Sequence, residues 1–173
     1  MNWTKRDLLM QQLPAAADIL ALIPTGGTQG STAVYIQADE ELMLGAATEI
    51  ILSCLAGRED KELRLIRRSA GRMLARRRNI VLPILHGCVL APVMVRPVRA
   101  GQRGTLGYIN IARKALILDD PHTGTNIVLQ NGAVIHSLWH TATVKKLVQE
   151  ARALHYKLLI DVRRQLESAA AYA

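Results

Sequence analysis

A chain of 173 residues, half of them apolar, is long enough to bury the core of one domain and too apolar for a disordered basic tail. Its formal net charge of +8 is unevenly spread: from Leu63 to Leu118 there is no Asp or Glu, yet most of the 22 Lys and Arg lie there. A bilayer span is excluded, because the longest apolar run, 80–95, is broken by Pro83, His86, Gly87 and Pro92.

The elements follow in chain order. Thr4 and Asp7 form a helix-capping pair in a start that lacks a signal peptide's apolar core, so a cytoplasmic location is expected. Asp18 to Pro24 and Ser31 to Ile36 are β-prone runs around a Gly-rich turn, which predicts a hairpin. Glu40 and Glu41 are expected to open a helix, with Leu42, Met43, Ala46, Ala47, Ile50, Ile51, Cys54 and Leu55 on its apolar side. Gly57 is the expected C-cap, with Arg58 neutralising that helix's C-terminal dipole. A second helix is predicted from about Asp60 to Arg76. Leu63, Ile66, Ala70, Met73 and Leu74 give it one apolar stripe. Arg64, Arg68, Arg72 and Arg76, four apart, give it a separate ladder of like charge, with Arg67 to one side.

From Asn79 the period becomes that of strands: 80–85 and 89–95 around His86-Gly87, then 106–111, 115–118, 126–129 and 133–136. Asn131-Gly132 marks a hairpin turn. An amphipathic helix closes the chain from about Thr141 to Ala169. Leu158 and Val162 lie on its long apolar stripe, which one small sheet is expected to leave partly open for self-association. The expected fold is α+β: a mostly antiparallel sheet, a helix after an N-terminal hairpin, a basic helix and a long C-terminal helix. It forms a single domain over 1–173, with 1–14 as an N-terminal extension and 140–173 as the C-terminal helix.

Little in the sequence points to catalysis. The five His have no partner at metal-ligand spacing, and Cys54 and Cys88 lie in apolar runs as reduced packing residues. Asp119, Asp120 and His122 are ordinary turn chemistry, and Thr25-Gly26-Gly27-Thr28 lacks the Lys of a phosphate-binding loop. No enzyme, metal or cofactor is expected.

The acid-free segment does point to a partner. Neutralising phosphates releases counterions, so concentrated charge of this kind suits a nucleic acid. With no Phe and few aromatics, base stacking on aromatic platforms is not favoured, and duplex backbone and groove contacts are. Arg64, Arg67, Arg68, Arg72, Arg76, Arg77 and Arg78 are the candidate phosphate ligands. Arg96, Arg99 and Arg103 lie on a Gly/Pro loop that either enters a narrow minor groove, where A-tract potential favours Arg, or is simply a basic hairpin tip. RNA or ribosome binding is the alternative use of the same charge, and an acidic protein partner a third.

Several short motifs, in order, resemble the competence transcription factor (ComK) family across some four fifths of the chain. Ala21-Leu22-Ile23-Pro24 is similar to the family's first strands, and Ser53-Cys54-Leu55-Ala56-Gly57-Arg58 to its helix running into Gly-Arg. Asn79-Ile80-Val81 and Pro92 are similar to its next strand pair, and Tyr108-Ile109 stands where the family has Trp-Ile. The spacing to Asn131-Gly132 and the last helix is kept. Ala91-Pro92-Val93 departs from the family's aromatic-Pro-Thr, and short insertions fall in the basic segment, so the resemblance carries fold further than DNA specificity. It implies a cytoplasmic, nucleoid-associated transcription activator that binds A/T-rich double-stranded DNA as a homodimer or higher oligomer. It also implies contact with RNA polymerase and turnover through an adaptor–protease system.

Overall fold

The computed structural model describes residues 4–25, 30–38, 40–96, 105–120 and 124–171, the side chains of 96 and 171 excepted. In chain order these form α1 (Lys5–Gln12), β1 (Ile19–Pro24), β2 (Thr32–Ile36), β3 (Glu41–Leu44), α2 (Thr48–Arg58) and α3 (Leu63–Met73). Then come β4 (Leu82–Leu85), β5 (Cys88–Arg96), β6 (Thr105–Asn110), β7 (Ala115–Asp120), β8 (Gly124–Leu129), β9 (Val134–Ser137) and α4 (Thr141–Ala171). The α+β class is as the sequence predicts.

The strands make two antiparallel sheets, one of order β3-β2-β1-β6-β5-β4 and one of order β7-β8-β9. The larger sheet is covered on both faces except at its β3 edge, where Glu41 and Met43 are exposed. Ile19, Leu22, Val34, Leu82, Ile84, Leu90 and Tyr108 face a first core shared with α1, α2 and the start of α3. Leu20, Ala21, Val89, Ala91, Val93 and Ile109 face a second, filled by Ile127, Leu129 and Ile135 of the smaller sheet and by Val144, Leu147, Val148, Ala151 and Leu154 of α4. Strands buried on both sides read as continuous apolar runs, which is why β1 and β5 are so uniform. Pro92 is tolerated in β5 because β4 stops pairing at Leu82, opposite Leu90, leaving no ladder bond for its missing N–H.

Asn110, buried at the end of β6, holds three strands together. Its Nδ2 donates to the Ile19 and Gly87 carbonyls (2.8 and 3.0 Å), and its Oδ1 accepts from the Val89 and Ala112 amides (3.0 and 3.1 Å). Cys54 and Cys88 are free and fully buried, and burial pushes the Cys88 thiol up to about 12.

Four expectations need correction. Residues 41–44 are not the start of a helix but a strand on the β2 edge. Over so short a run, Leu42 and Leu44 satisfy strand alternation as well as helical spacing, and pairing with β2 decides between them. Segment 1–14 is not an appendage in its described part: the capping box of Thr4 and Asp7 opens α1, and Leu9 and Leu13 are buried in the first core. Arg58 caps a helix C-terminus, but that of α1, donating to the carbonyls of Met10, Leu13 and Pro14.

The last correction concerns helix ends. Gly57 lies inside α2, and α3 stops at Met73 rather than Arg76. Both helices end in the same left-handed device. After α2 the Lys61 amide bonds the Ala56 carbonyl (3.0 Å) and Asp60 has φ 52°; after α3 the Arg76 amide bonds the Gly71 carbonyl (2.8 Å) and Ala75 has φ 51°. Glycine is the usual residue there, so neither stop is marked in the sequence. Ala75→Gly therefore removes left-handed strain of roughly 1–2 kcal/mol per residue and adds back an unfolded-state entropy of about 0.5–1 kcal/mol. The expected outcome is a higher denaturant midpoint at unchanged slope, a net gain of about 0.5–1 kcal/mol.

Candidate nucleic-acid interface

α3 lies across the β4 edge of the larger sheet, because its first turns enter one core and its last turn the other. Leu63 and Ile66 belong to the first core, Ala70 and Leu74 to the second. With that stripe buried, the opposite side faces out, and Arg64, Arg68 and Arg72 are exposed on it at successive intervals of four. Leu65, Ser69 and Met73 are exposed beside them. Arg77 and Arg78 continue the exposed charge into the connection to β4.

Two members of the predicted set are used differently. Arg67, on the flank of α3, makes a two-pronged pair with Glu49 of α2, through Nη1 to Oε1 and through Nη2 to Oε2 at 2.7 Å. These hydrogen bonds hold the Glu49 carboxyl below its ordinary range. The Tyr108 hydroxyl, whose ionisation burial makes harder, also lies against Arg67. Arg76 leaves the helix and pairs with Glu150 of α4, Nε to Oε2 at 2.5 Å and Nη2 to Oε1 at 2.9 Å. The ladder of four therefore contains three ladder residues and one cross-link. Arg113 is also structural, donating from Nε to the Ala17 carbonyl at 2.9 Å, and Lys61 donates to the Ile84 carbonyl at 2.7 Å.

A cleft of about 350 Å³ opens where these two kinds of arginine meet, with Arg67, Arg68, Arg72, Arg76 and Arg77 around Gly71. The floor is tight. A Cβ on Gly71 would lie 2.8 Å from the Arg76 carbonyl oxygen and 3.1 Å from Ile80 Cδ1, so only glycine lets the 74–80 connection fold back on the helix. Arg64, Arg68, Arg72, Arg77 and Arg78 form no ion pair with a carboxylate among the described residues. Like charges four apart on a helix repel by a few tenths of a kcal/mol per pair, a cost that an anion spanning them removes.

Of the remaining candidates, Arg96 ends β5, and Arg99 and Arg103 with the rest of loop 97–104 lie outside the described residues. Leu158 is half-buried and packs on the second core, whereas Val162 is exposed. No residue of α4 beyond Leu154 is buried among the described ones. Asp119 accepts a 2.6 Å bond from the Thr141 hydroxyl at the start of α4, a joint between sheet and helix, while His122 lies outside the described residues. Among the described residues no cluster of His, Cys, Asp or Glu is arranged to hold a metal ion, and no helix is long and apolar enough to cross a membrane.

Sequence reasoning missed Glu49 and Glu150, since neither stands near its arginine along the chain. No protein-family model matches the chain, and comparisons with curated proteins and with solved structures give no significant match.

The division between cross-linking and outward-facing arginines has a measurable consequence. Arg76→Gln and Glu150→Gln are expected to destabilise the fold, with a coupling of about 0.5–1.5 kcal/mol in a double-mutant cycle. Arg68→Ala and Arg72→Ala are expected to change stability by no more than about 0.5 kcal/mol. Urea unfolding of each variant reads the difference.

Proposed function

We propose that the chain is a sequence-specific DNA-binding transcription activator of the ComK type, acting on A/T-rich duplex as a homodimer or higher oligomer. The observation that carries this reading is the set of outward arginines on α3 and its connection to β4, which have no carboxylate partner among the described residues, interspersed with two, Arg67 and Arg76, that do. Arg64, Arg68, Arg72, Arg77 and Arg78 hold phosphates. Arg67 and Arg76 instead fix the helix on which the others stand. Their ion pairs with Glu49 and Glu150 orient the surface before a ligand arrives, which lowers the ordering cost of binding.

Phosphate contacts position a duplex and do not read it. Sequence preference on this reading falls to Arg96, Arg99 and Arg103, inserted where the minor groove of A/T-rich DNA narrows. The ordered motif resemblance supports the activator role, and contact with RNA polymerase, adaptor–protease turnover and nucleoid association rest on that resemblance alone.

The test separates the two arginine groups. Arg68→Ala with Arg72→Ala is expected to weaken A/T-rich and random duplex by similar factors and to make the salt slope shallower by about one or two units. Arg99→Ala with Arg103→Ala is expected to lower the ratio of A/T-rich to G·C-rich affinity more than it lowers random-duplex affinity. Unchanged slopes would move the phosphate surface away from α3. Tighter binding to structured RNA than to any duplex would favour the RNA-binding alternative.

A further inference from the structure

We infer that the open edge of β7 is a self-association surface, and that its occupant is β7 of a second copy of this chain, antiparallel about a twofold axis at Ile117. This inference is independent of the nucleic-acid reading.

β7 is an outer strand of the smaller sheet, and its one strand neighbour among the described residues is β8. The direction of its free backbone groups follows from the β8–β9 turn. There the Leu129 amide bonds the Ala133 carbonyl at 2.8 Å, so Leu129 and, by alternation, Ile127 and Thr125 turn their hydrogen-bonding groups to β9. Gly124, Asn126 and Val128 then bond β7 through their partners Asp120, Leu118 and Leu116. The N–H and C=O groups of Ala115, Ile117 and Asp119 are left facing the open edge. Such a row is a template for another strand, and natural edges of this kind are covered or blunted.

The side chains on the solvent side do not blunt it. Leu116 is 59 % exposed and Leu118 is 44 % exposed, between Lys114 at one end and Asp120 at the other. Read along that face, the strand is cation, Leu, Leu, anion. A strand with this order complements itself when reversed. With Ile117 opposite its own copy, Ala115 and Asp119 meet as hydrogen-bonded pairs, which the open backbone groups require. Leu116 then stands opposite Leu118 of the other copy, and Lys114 opposite Asp120. These fall at the non-hydrogen-bonded positions, where directly opposed side chains come closest. Shifting the register by one residue would turn the wrong backbone groups toward the partner, and parallel pairing would not bring Lys114 to Asp120. Asp120 already lies 3.7 Å from His136 Nδ1, so the Lys114 ammonium of the other copy would join an existing polar cluster. The product is a continuous six-stranded antiparallel sheet with the four Leu side chains adjacent at its centre.

The self-complementarity gives a test that a merely structural role does not pass. Lys114→Asp puts like charges at both ends of the joint, as does Asp120→Lys. A 1:1 mixture of the two variants restores an opposite-charge pair at each end. Sedimentation velocity across a concentration series is expected to show a wild-type dimer, each single variant monomeric at the concentrations where wild type is dimeric, and a dimer again in the mixture. Ala115→Pro provides a second arm: it removes an amide that faces the open edge and not β8, so a folded monomer by circular dichroism is expected. Val162→Asp is expected to leave the dimer intact. Wild type that stays monomeric throughout, a Lys114→Asp dimer as stable as wild type, or a mixture that fails to associate would overturn the proposal. So would a dimer abolished by Val162→Asp alone, which would place the contact on α4.

Discussion

The inner strands of the larger sheet are buried on both faces, and most of the rest follows from that. A strand with helices on one side and a second sheet and helix on the other has no position along it for a charge. β1, the greater part of β5 and the inner half of β6 are accordingly apolar, and Asn110, their buried polar side chain, has both amide groups engaged by backbone. The acid-free stretch 63–118 contains three strands of this sheet. Apart from Arg96 at the end of β5, its charges are therefore confined to what lies between strands: α3, the connection after it, the segment after β5 and the turn before β7. The basic cluster is concentrated because the strands exclude it.

Confinement alone would leave a loose fringe of arginines. What organises it is α3 crossing the sheet edge, so that its ends are anchored in different cores. Arg67 ties one flank to α2 and Arg76 ties the chain leaving the helix to α4. The arginines between them project from a helix with fixed ends, and Arg77 and Arg78 from the connection that follows it. The left-handed residue at Ala75 matters here, because it turns the chain and sends Arg76 toward Glu150 instead of continuing the ladder. The same segment thus provides both the clamp and the surface it holds.

Much of the fold was legible because it depends on neighbours in sequence. The β1–β2 hairpin, β4 with β5, the three strands of the smaller sheet and α4 all follow from alternation, turn residues and helical period. Asn131-Gly132 marked a real hairpin, though with only Gly132 at positive φ (85°) the turn is a three-residue loop and not the two-residue form that puts both residues there. What was not legible depended on distance or on an unmarked backbone state. Residues 41–44 become a strand because β2 offers an edge. The ends of α2 and α3 rest on Asp60 and Ala75 in a conformation neither residue advertises. In the site, the exposed arginines could be read from the spacing of α3. The separation of Arg67 and Arg76 from the others could not, because their acids come from helices 18 and 74 residues away.

The central claim is that the outward arginines on α3 and its connection form a phosphate-binding surface for duplex DNA. The most direct measurement is the affinity of the wild-type chain for an A/T-rich duplex across a series of salt concentrations. With some three to five arginines each neutralising a phosphate, log affinity should fall linearly with log salt with a slope of about −3 to −5 per protomer. An affinity that does not respond to salt, or no duplex binding at moderate ionic strength, would contradict it.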